Sequence, residues 1–377
     1  MVVQHPPKSA VHTLPGVRRC NANVGTVVNV PVRVGSDFSG LDTVLLATKK
    51  VCGNIGKTVV HTHACDKLRA CKKLSMTLHP PHIYIDNILE RCTESLPSCD
   101  IYSFTAPCTS YSVAGKMEGA GNRDGKLLFK ALEFIQLKKP KVIISENAPT
   151  LAGRFKSCSD VLIGKLEEEG YRCQTGILET DKFGLPQTRR RWYLLAINKL
   201  CLRKNDIPFG DAWLPEPRPG MIPLSCIVSP VPKSSWLPYP PHKLAKQNVL
   251  AAYRTCCKKN VNPFTQPVVV DCGSSPRYSS FKINLCMTLT KTRCSGFGYW
   301  HSMKGAPLSV EDMMRLQGFE PTDFGNYSEI GVSHRAMAGC LGNAQSLNVV
   351  MKLIPRALFL AKLISRDEYF ILDASTW

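Results

Sequence analysis

Between residues 31 and 200 the chain repeats one pattern: an apolar run of strand length stops at an acid, a glycine or a proline, and an amphipathic helical segment follows. Strands separated by helices return to a sheet through crossovers, so this order restricts the fold to a parallel or mostly parallel α/β sheet. VVNVPVRVGSDFSG reads as a buried strand with a glycine turn, and LDTVLLATKKVCG as the helix after it. VVHTHACDK with KLRACKKLSM, DIYSFTAPC with KLLFKALEFIQLKK, and KVIISENAP with SDVLIGKLEEEG repeat the pair, before YRCQTGILET and RWYLLAINKL close the series. The expected architecture is a doubly wound, mostly parallel sheet.

After residue 200 the texture changes. IPFGDAWLPEPRPGMIPLSCIVSPVPKSSWLPYPPH is crowded with prolines and has no period, which marks a second domain. One helix is expected there, over KLAKQNVLAAYRTCCKK, and helical signals return in LSVEDMMRLQGF and AQSLNVVMKLIPRALFLAKLI. The expected organisation is a basic N-terminal arm (1–30), a large domain (31–200), an inserted smaller domain (201–334), a segment completing the large domain (335–365) and a tail (366–377).

The N-terminal segment lacks the apolar stretch of a secretory signal, and no run approaches the ~20 apolar residues of a membrane span. An intracellular protein is expected, in the nucleus of a eukaryote or otherwise in the cytoplasm, without a membrane partner. The 17 cysteines are then free thiols, and their spacing gives no zinc-finger pattern, so no metal is expected. With 48 basic against 29 acidic residues the formal charge is +19. That excess exceeds what solubility needs and points to a polyanion, nucleic acid first.

In an open parallel sheet, ligands bind beyond the carboxyl ends of the strands. The residues where the apolar runs stop are Asp37-Phe38-Ser39-Gly40, Asp66, Asp86, Pro107-Cys108 and Glu146-Asn147. Acids and a thiol would converge on one crevice. Asp66, at the second strand end, could accept both ribose hydroxyls of a nucleoside, although a strand-end aspartate also serves as a helix cap.

The order SDFSG, ACDK, DN, APCTSYSVAGK, ISENAPTL, QTRRRWYLLAI, MMRLQGF and CLGNAQS resembles the motif series of the cytosine carbon-5 DNA methyltransferases, over roughly residues 32 to 355. The resemblance implies a Rossmann-like fold dependent on S-adenosylmethionine, with the inserted domain recognising the target. Cys108 would be the nucleophile: its thiolate adds to carbon 6 of cytosine and makes carbon 5 reactive. Glu146 would hold N3 and the exocyclic amine of the base, a task that needs a raised pKa near neutral pH. Arg189 and Arg191 alternate with Thr188 and Arg190, so they share a strand face, and they would support the cytosine carbonyl and the catalytic loop. Arg190 would point away, to phosphate or solvent.

For the methyl donor, the resemblance implies a pocket of Asp37, Phe38, Ser39, Gly40, Asp66, Asp86, Asn87, Pro107, Asn343 and Ala344. In it Asp66 would hold the ribose, Asp86 the adenine amine, and Asn343 would close the site. Ser112, Gln187, Thr290, Lys291 and Arg293 are expected to contact nucleic acid, the last three in a segment rich in hydroxyl and cationic donors suited to phosphate. Double-stranded DNA would lie between the domains of a monomer and present the base by flipping.

Three positions depart from the series: Thr109 stands where glutamine is expected after the cysteine, Ala148 in place of valine, and Asp42 in place of a glycine in the first loop. None removes a reacting group. Two alternatives stay open, an enzyme of the same chemistry acting on transfer RNA and a catalytically silent DNA-binding relative. Cys108, Glu146, Arg189 and Arg191 standing together argue against silence.

Overall fold

The computed structural model describes residues 30–107, 123–217, 220–275 and 280–375. Its centre is a seven-stranded sheet in the order β3-β2-β1-β4-β5-β8-β6. The strands are β1 Val32–Asp37, β2 Val59–Cys65, β3 Ile83–Ile85, β4 Ile101–Phe104, β5 Val142–Asn147, β6 Tyr171–Glu179 and β8 Arg190–Asn198, with the short β7 Gln187–Thr188 outside the sheet. The helices between them are α1 Thr43–Gly53, α2 Arg69–Leu78, α3 Arg123–Lys138 and α4 Lys156–Glu168. From β1 to β5 all pairings are parallel, as the strand and helix alternation requires.

One strand is reversed. β8 lies antiparallel between β5 and β6, because only a short connection without a crossover helix joins β6 to β8.

Successive residues face opposite layers. Ile101, Val142, Ile144, Tyr193, Leu195 and Ile197 enter the larger core, while Tyr102, Phe104, Ile143, Trp192, Leu194 and Ala196 enter the core beneath α3 and α4. Both faces of the sheet are therefore covered, which is why its strands read as continuous apolar runs. The larger core is completed from the far end of the chain by α7 His334–Asn343 and α8 Leu347–Leu360.

A separate small core gathers residues of α5 Lys243–Lys258, β9 Val268–Asp271 and β12 Tyr299–His301. Around it β10 Phe281–Ile283, β9, β12 and β13 Ala306–Pro307 form a four-stranded sheet. The smaller unit is tied to the large one through β11 Cys286–Met287, which pairs in parallel with β7. Residues of α6 Val310–Leu316 and of the stretch to Val332 pack into the larger core. The expected tail contains α9 Arg366–Ser375, whose Tyr369 ring sits 5.0 Å from that of Phe359. Every cysteine among the described residues is free, and no helix among them is long and apolar enough to cross a membrane.

Candidate active site

Strand order reverses between β1 and β4, and a crevice opens there beyond the strand ends. It holds a cavity of about 630 Å³, within the range of small-molecule sites. Asp37, Phe38, Ser39, Gly40, Asp66, Asp86, Asn87, Pro107, Glu146, Arg189, Arg191, Asn343 and Ala344 all line this cavity. Residues far apart in sequence thus meet as the strand-end reading expects.

The first wall is the turn after β1. Phe38 and Gly40 both have positive φ, 55° and 56°, and this winding brings the Gly40 amide to Asp66 Oδ2 at 2.9 Å. The other carboxylate oxygen of Asp66 accepts from the Leu68 amide at 2.8 Å. Each oxygen is oriented by one backbone donor and retains a lone pair, the arrangement needed to receive a diol. Burial raises the Asp66 pKa, against the pull of these two amides. Asp86 is largely exposed and pairs with Lys72 at 2.6 Å, while Asn87 accepts from the Leu89 amide at 3.2 Å as a local cap. Asp37 lines the cavity with its carboxylate buried and engaged by Arg91 and by the Tyr102 hydroxyl, so it also anchors the end of β1.

The second wall holds the acid. Glu146, the penultimate residue of β5, is 6% exposed, and its Oε1 lies 3.1 Å from Arg191 Nε and 3.8 Å from an Arg189 guanidinium nitrogen. Burial pushes the Glu146 carboxyl above the ordinary range, and the two arginines oppose that shift without cancelling it. Arg189 is itself buried and donates to the Leu289 carbonyl at 2.7 Å, so it fastens β8 to the smaller unit. Burial, with Arg191 beside it, holds the Arg189 guanidinium down at about 10. Arg190 points the other way and is exposed, paired with Glu179 at 2.9 Å.

Two hydrogen bonds set the backbone that leads to Pro107. Thr105 Oγ1 donates to the Phe38 carbonyl at 2.9 Å, and Asn147 Nδ2 donates to the Ala106 carbonyl at 2.7 Å. Thr105 is not among the residues singled out from the sequence, and Asn147 is named there only with Glu146 at a strand end, without a role of its own. Cys108, Thr109 and Ser112 lie outside the described residues.

Of the residues expected at nucleic acid, Thr290 and Lys291 are exposed, and Lys291 reaches the cavity wall. Arg293 is half-buried and pairs with Asp271 at 3.1 Å. Gln187 is a correction. It is fully buried, donates to the Leu316 carbonyl at 2.7 Å and accepts from the Leu289 amide at 3.1 Å, which leaves it to join the two units. Gln317 continues this seam by donating to the Leu341 carbonyl at 2.8 Å, and so positions the segment carrying Asn343. A Cβ at Gly342 would come within 2.4 Å of the Lys291 amide nitrogen, so only glycine allows that segment to lie so close.

The chain combines a mostly parallel α/β sheet with one reversed strand, a backbone-oriented carboxylate at its switch point and a buried acid beside two arginines on one cavity. Residues 38–358 match the family described as C-5 cytosine-specific DNA methylase, and the chain belongs to that family. It is 35% identical over 126 residues to the Type II methyltransferase M.Bsp6I of Bacillus sp. (strain RFL6), a match covering 33% of this chain and 40% of that relative's length. It is 28% identical over 260 residues to the Type II methyltransferase M.NgoBI of Neisseria gonorrhoeae, covering 68% of this chain and 73% of the relative. The fold is shared with the Entamoeba histolytica methyltransferase EhMeth, at a TM-score of 0.61 and 17% identity over 89% of this chain and 100% of the other. The S. pombe Dnmt2 methyltransferase aligns with the same TM-score, 0.61, and the same coverage, 89% and 100%, at 16% identity.

Proposed function

We propose that the protein transfers a methyl group from S-adenosylmethionine to carbon 5 of cytosine in double-stranded DNA. The observation that carries this reading is Glu146, a buried carboxyl held by Arg189 and Arg191 on the wall of a cavity whose other wall is the Asp66 cradle. S-adenosylmethionine fits that cradle by chemistry: Asp66 offers one free acceptor site per oxygen to its ribose, and Asp86 an acceptor to its adenine amine. Phe38, Gly40, Asn343 and Ala344 would form the rest of its enclosure. When bound, it supplies an electrophilic methyl group.

The chain's own residues prepare the base. The Cys108 thiolate forms a bond to carbon 6, and the electrons of the 5,6 double bond shift to carbon 5. Burial raises the Glu146 pKa, and in its protonated form Glu146 donates to N3 as charge builds on the ring and accepts from the exocyclic amine. Arg191 holds that carboxyl in place, and Arg189 ties it to the smaller unit. After carbon 5 is methylated, N3 returns its proton to Glu146, the carbon 5 proton passes to water, and the carbon 6 to sulfur bond breaks to restore the 5,6 double bond and the thiolate. The base must leave the stack to enter the cavity, so base flipping is part of the reading. The charge of +19 and the exposed Thr290 and Lys291 near the cavity suit a duplex backbone.

Bisulfite sequencing after incubation with S-adenosylmethionine tests the reading, with a DNA duplex and a transfer RNA as parallel substrates. Protected cytosines in the duplex are expected. Protection of the RNA alone would replace the substrate, and protection of neither would leave a silent binding protein.

A further inference from the structure

Asp42 stands where the motif series expects glycine, and its backbone is the kind that glycine serves. With φ 51° and ψ 43° it is left-handed, a region that aspartate and asparagine tolerate better than most side chains. The side chain is no passenger on that backbone. It is 4% exposed, accepts from Ser36 Oγ at 2.7 Å through Oδ1, and accepts from Ser75 Oγ at 3.0 Å through Oδ2. Ser36 Oγ also lies 2.8 Å from Ser39 Oγ, which in turn accepts from the Cys65 amide at 2.9 Å. One carboxyl therefore links the end of β1, the turn after it and the middle of α2. A glycine makes none of these contacts.

Resting on the methyl-transfer reading, we propose that Asp42 is a positioning residue for the methyl donor: through Ser36 and Ser75 its carboxyl clamps the turn 36–42, which presents Phe38 and Gly40, against α2. The clamp matters for binding because the Gly40 amide of that turn is what orients Asp66 Oδ2. Loosening the turn would release one of the two donors that aim the ribose acceptor.

His61, on β2, packs on the same carboxyl: its Nδ1 donates to the His79 carbonyl at 2.7 Å and its Nε2 lies 3.9 Å from Asp42 Oδ1.

The test is calorimetric titration of S-adenosylmethionine into the full chain and into Asp42→Asn, Asp42→Gly and Ser75→Ala, with steady-state kinetics of each protein beside it. Asp42→Asn keeps the left-handed backbone and the acceptor for Ser36 or Ser75 but cannot ionise. It should bind within about threefold of the wild type, because one hydrogen bond at most is weakened. Asp42→Gly and Ser75→Ala should each weaken binding about tenfold, the effect of losing a buried hydrogen-bonded partner, and raise KM for the donor while kcat is kept. An Asp42→Gly protein that binds as well as the wild type would overturn the clamp, and so would an Asp42→Asn protein that binds as poorly as Asp42→Gly. Wild-type protein that binds no S-adenosylmethionine at all would remove the methyl-transfer reading and this inference with it, a result distinct from either.

Discussion

Arg191 and Glu146 meet diagonally across the β5–β8 ladder, with Arg191 Nε 3.1 Å from Glu146 Oε1, because Glu146 is paired with Tyr193, two residues along the same strand face. The register alone brings a cation to the acid. It leaves the acid protonatable, since burial raises the Glu146 pKa beyond what Arg189 and Arg191 offset. In the proposed mechanism the protonated form acts, so the rate of methyl transfer should fall as pH rises through that raised pKa. Glu146→Gln should lose about 10² to 10⁴ in single-turnover rate, the usual share of general acid catalysis, and should lose the alkaline limb as well. Single-turnover rates of both proteins against pH check this, and wild-type turnover by the glutamine variant would rule Glu146 out as the proton donor.

Asn147 acts one step further from the base. Its Nδ2 holds the Ala106 carbonyl at 2.7 Å, immediately before Pro107 and Cys108. Asn147→Ala should free that backbone, and displacement of a nucleophile by about 1 Å can cost on the order of 10²-fold in rate. Donor affinity should change less than the rate, because the Asn147 side chain bonds Ala106 and Ala148 and not Asp66 or the amides that orient it. Rapid-quench kinetics paired with calorimetry separate the two quantities, and a loss of donor affinity with intact kcat would contradict the assignment.

Asp66 should show the opposite split. Asp66→Ala removes the acceptor that the Gly40 and Leu68 amides orient, and should weaken S-adenosylmethionine binding by about 1 to 3 kcal/mol, the range for a charged hydrogen-bond partner. An unchanged dissociation constant would mean that the ribose is held elsewhere.

The sheet and the strand-end residues were legible in the sequence because both rest on local pattern: buried parallel strands read as apolar runs, and each run announces its end with a polar residue. What was not legible depended on direction or on distant partners. Asp37 ends its strand just as Asp66 does, but its side chain turns to Arg91, far along the chain, and nothing in SDFSG reveals that. Gln187 reads as a polar residue beside an arginine run, yet Leu289 and Leu316 enclose it. Arg189 and Arg191 were placed on one face by strand alternation, whereas their convergence on Glu146 required the β5–β8 register, which the sequence does not print. Thr105 and Asn147 act through backbone carbonyls, and a carbonyl partner leaves no trace in residue types.

The covalent step gives the most direct test of the whole reading. If Cys108 adds to carbon 6 before methylation, a duplex carrying 5-fluorocytosine should trap the protein, because fluorine cannot leave as a proton and the elimination that frees the thiolate stalls. The adduct should form in the presence of S-adenosylmethionine, survive denaturing electrophoresis and be absent with Cys108→Ser. Its yield at limiting DNA should drop steeply between low and physiological salt, since a chain with a formal charge of +19 gains encounter affinity by displacing counterions from phosphates. Salt should not change the adduct once formed, because a covalent bond is indifferent to screening. Fluorinated duplex that is bound in a salt-dependent way but never trapped would mark a binding protein without methyl transfer. Trapping that persists in Cys108→Ser would move the nucleophile to another of the chain's thiols.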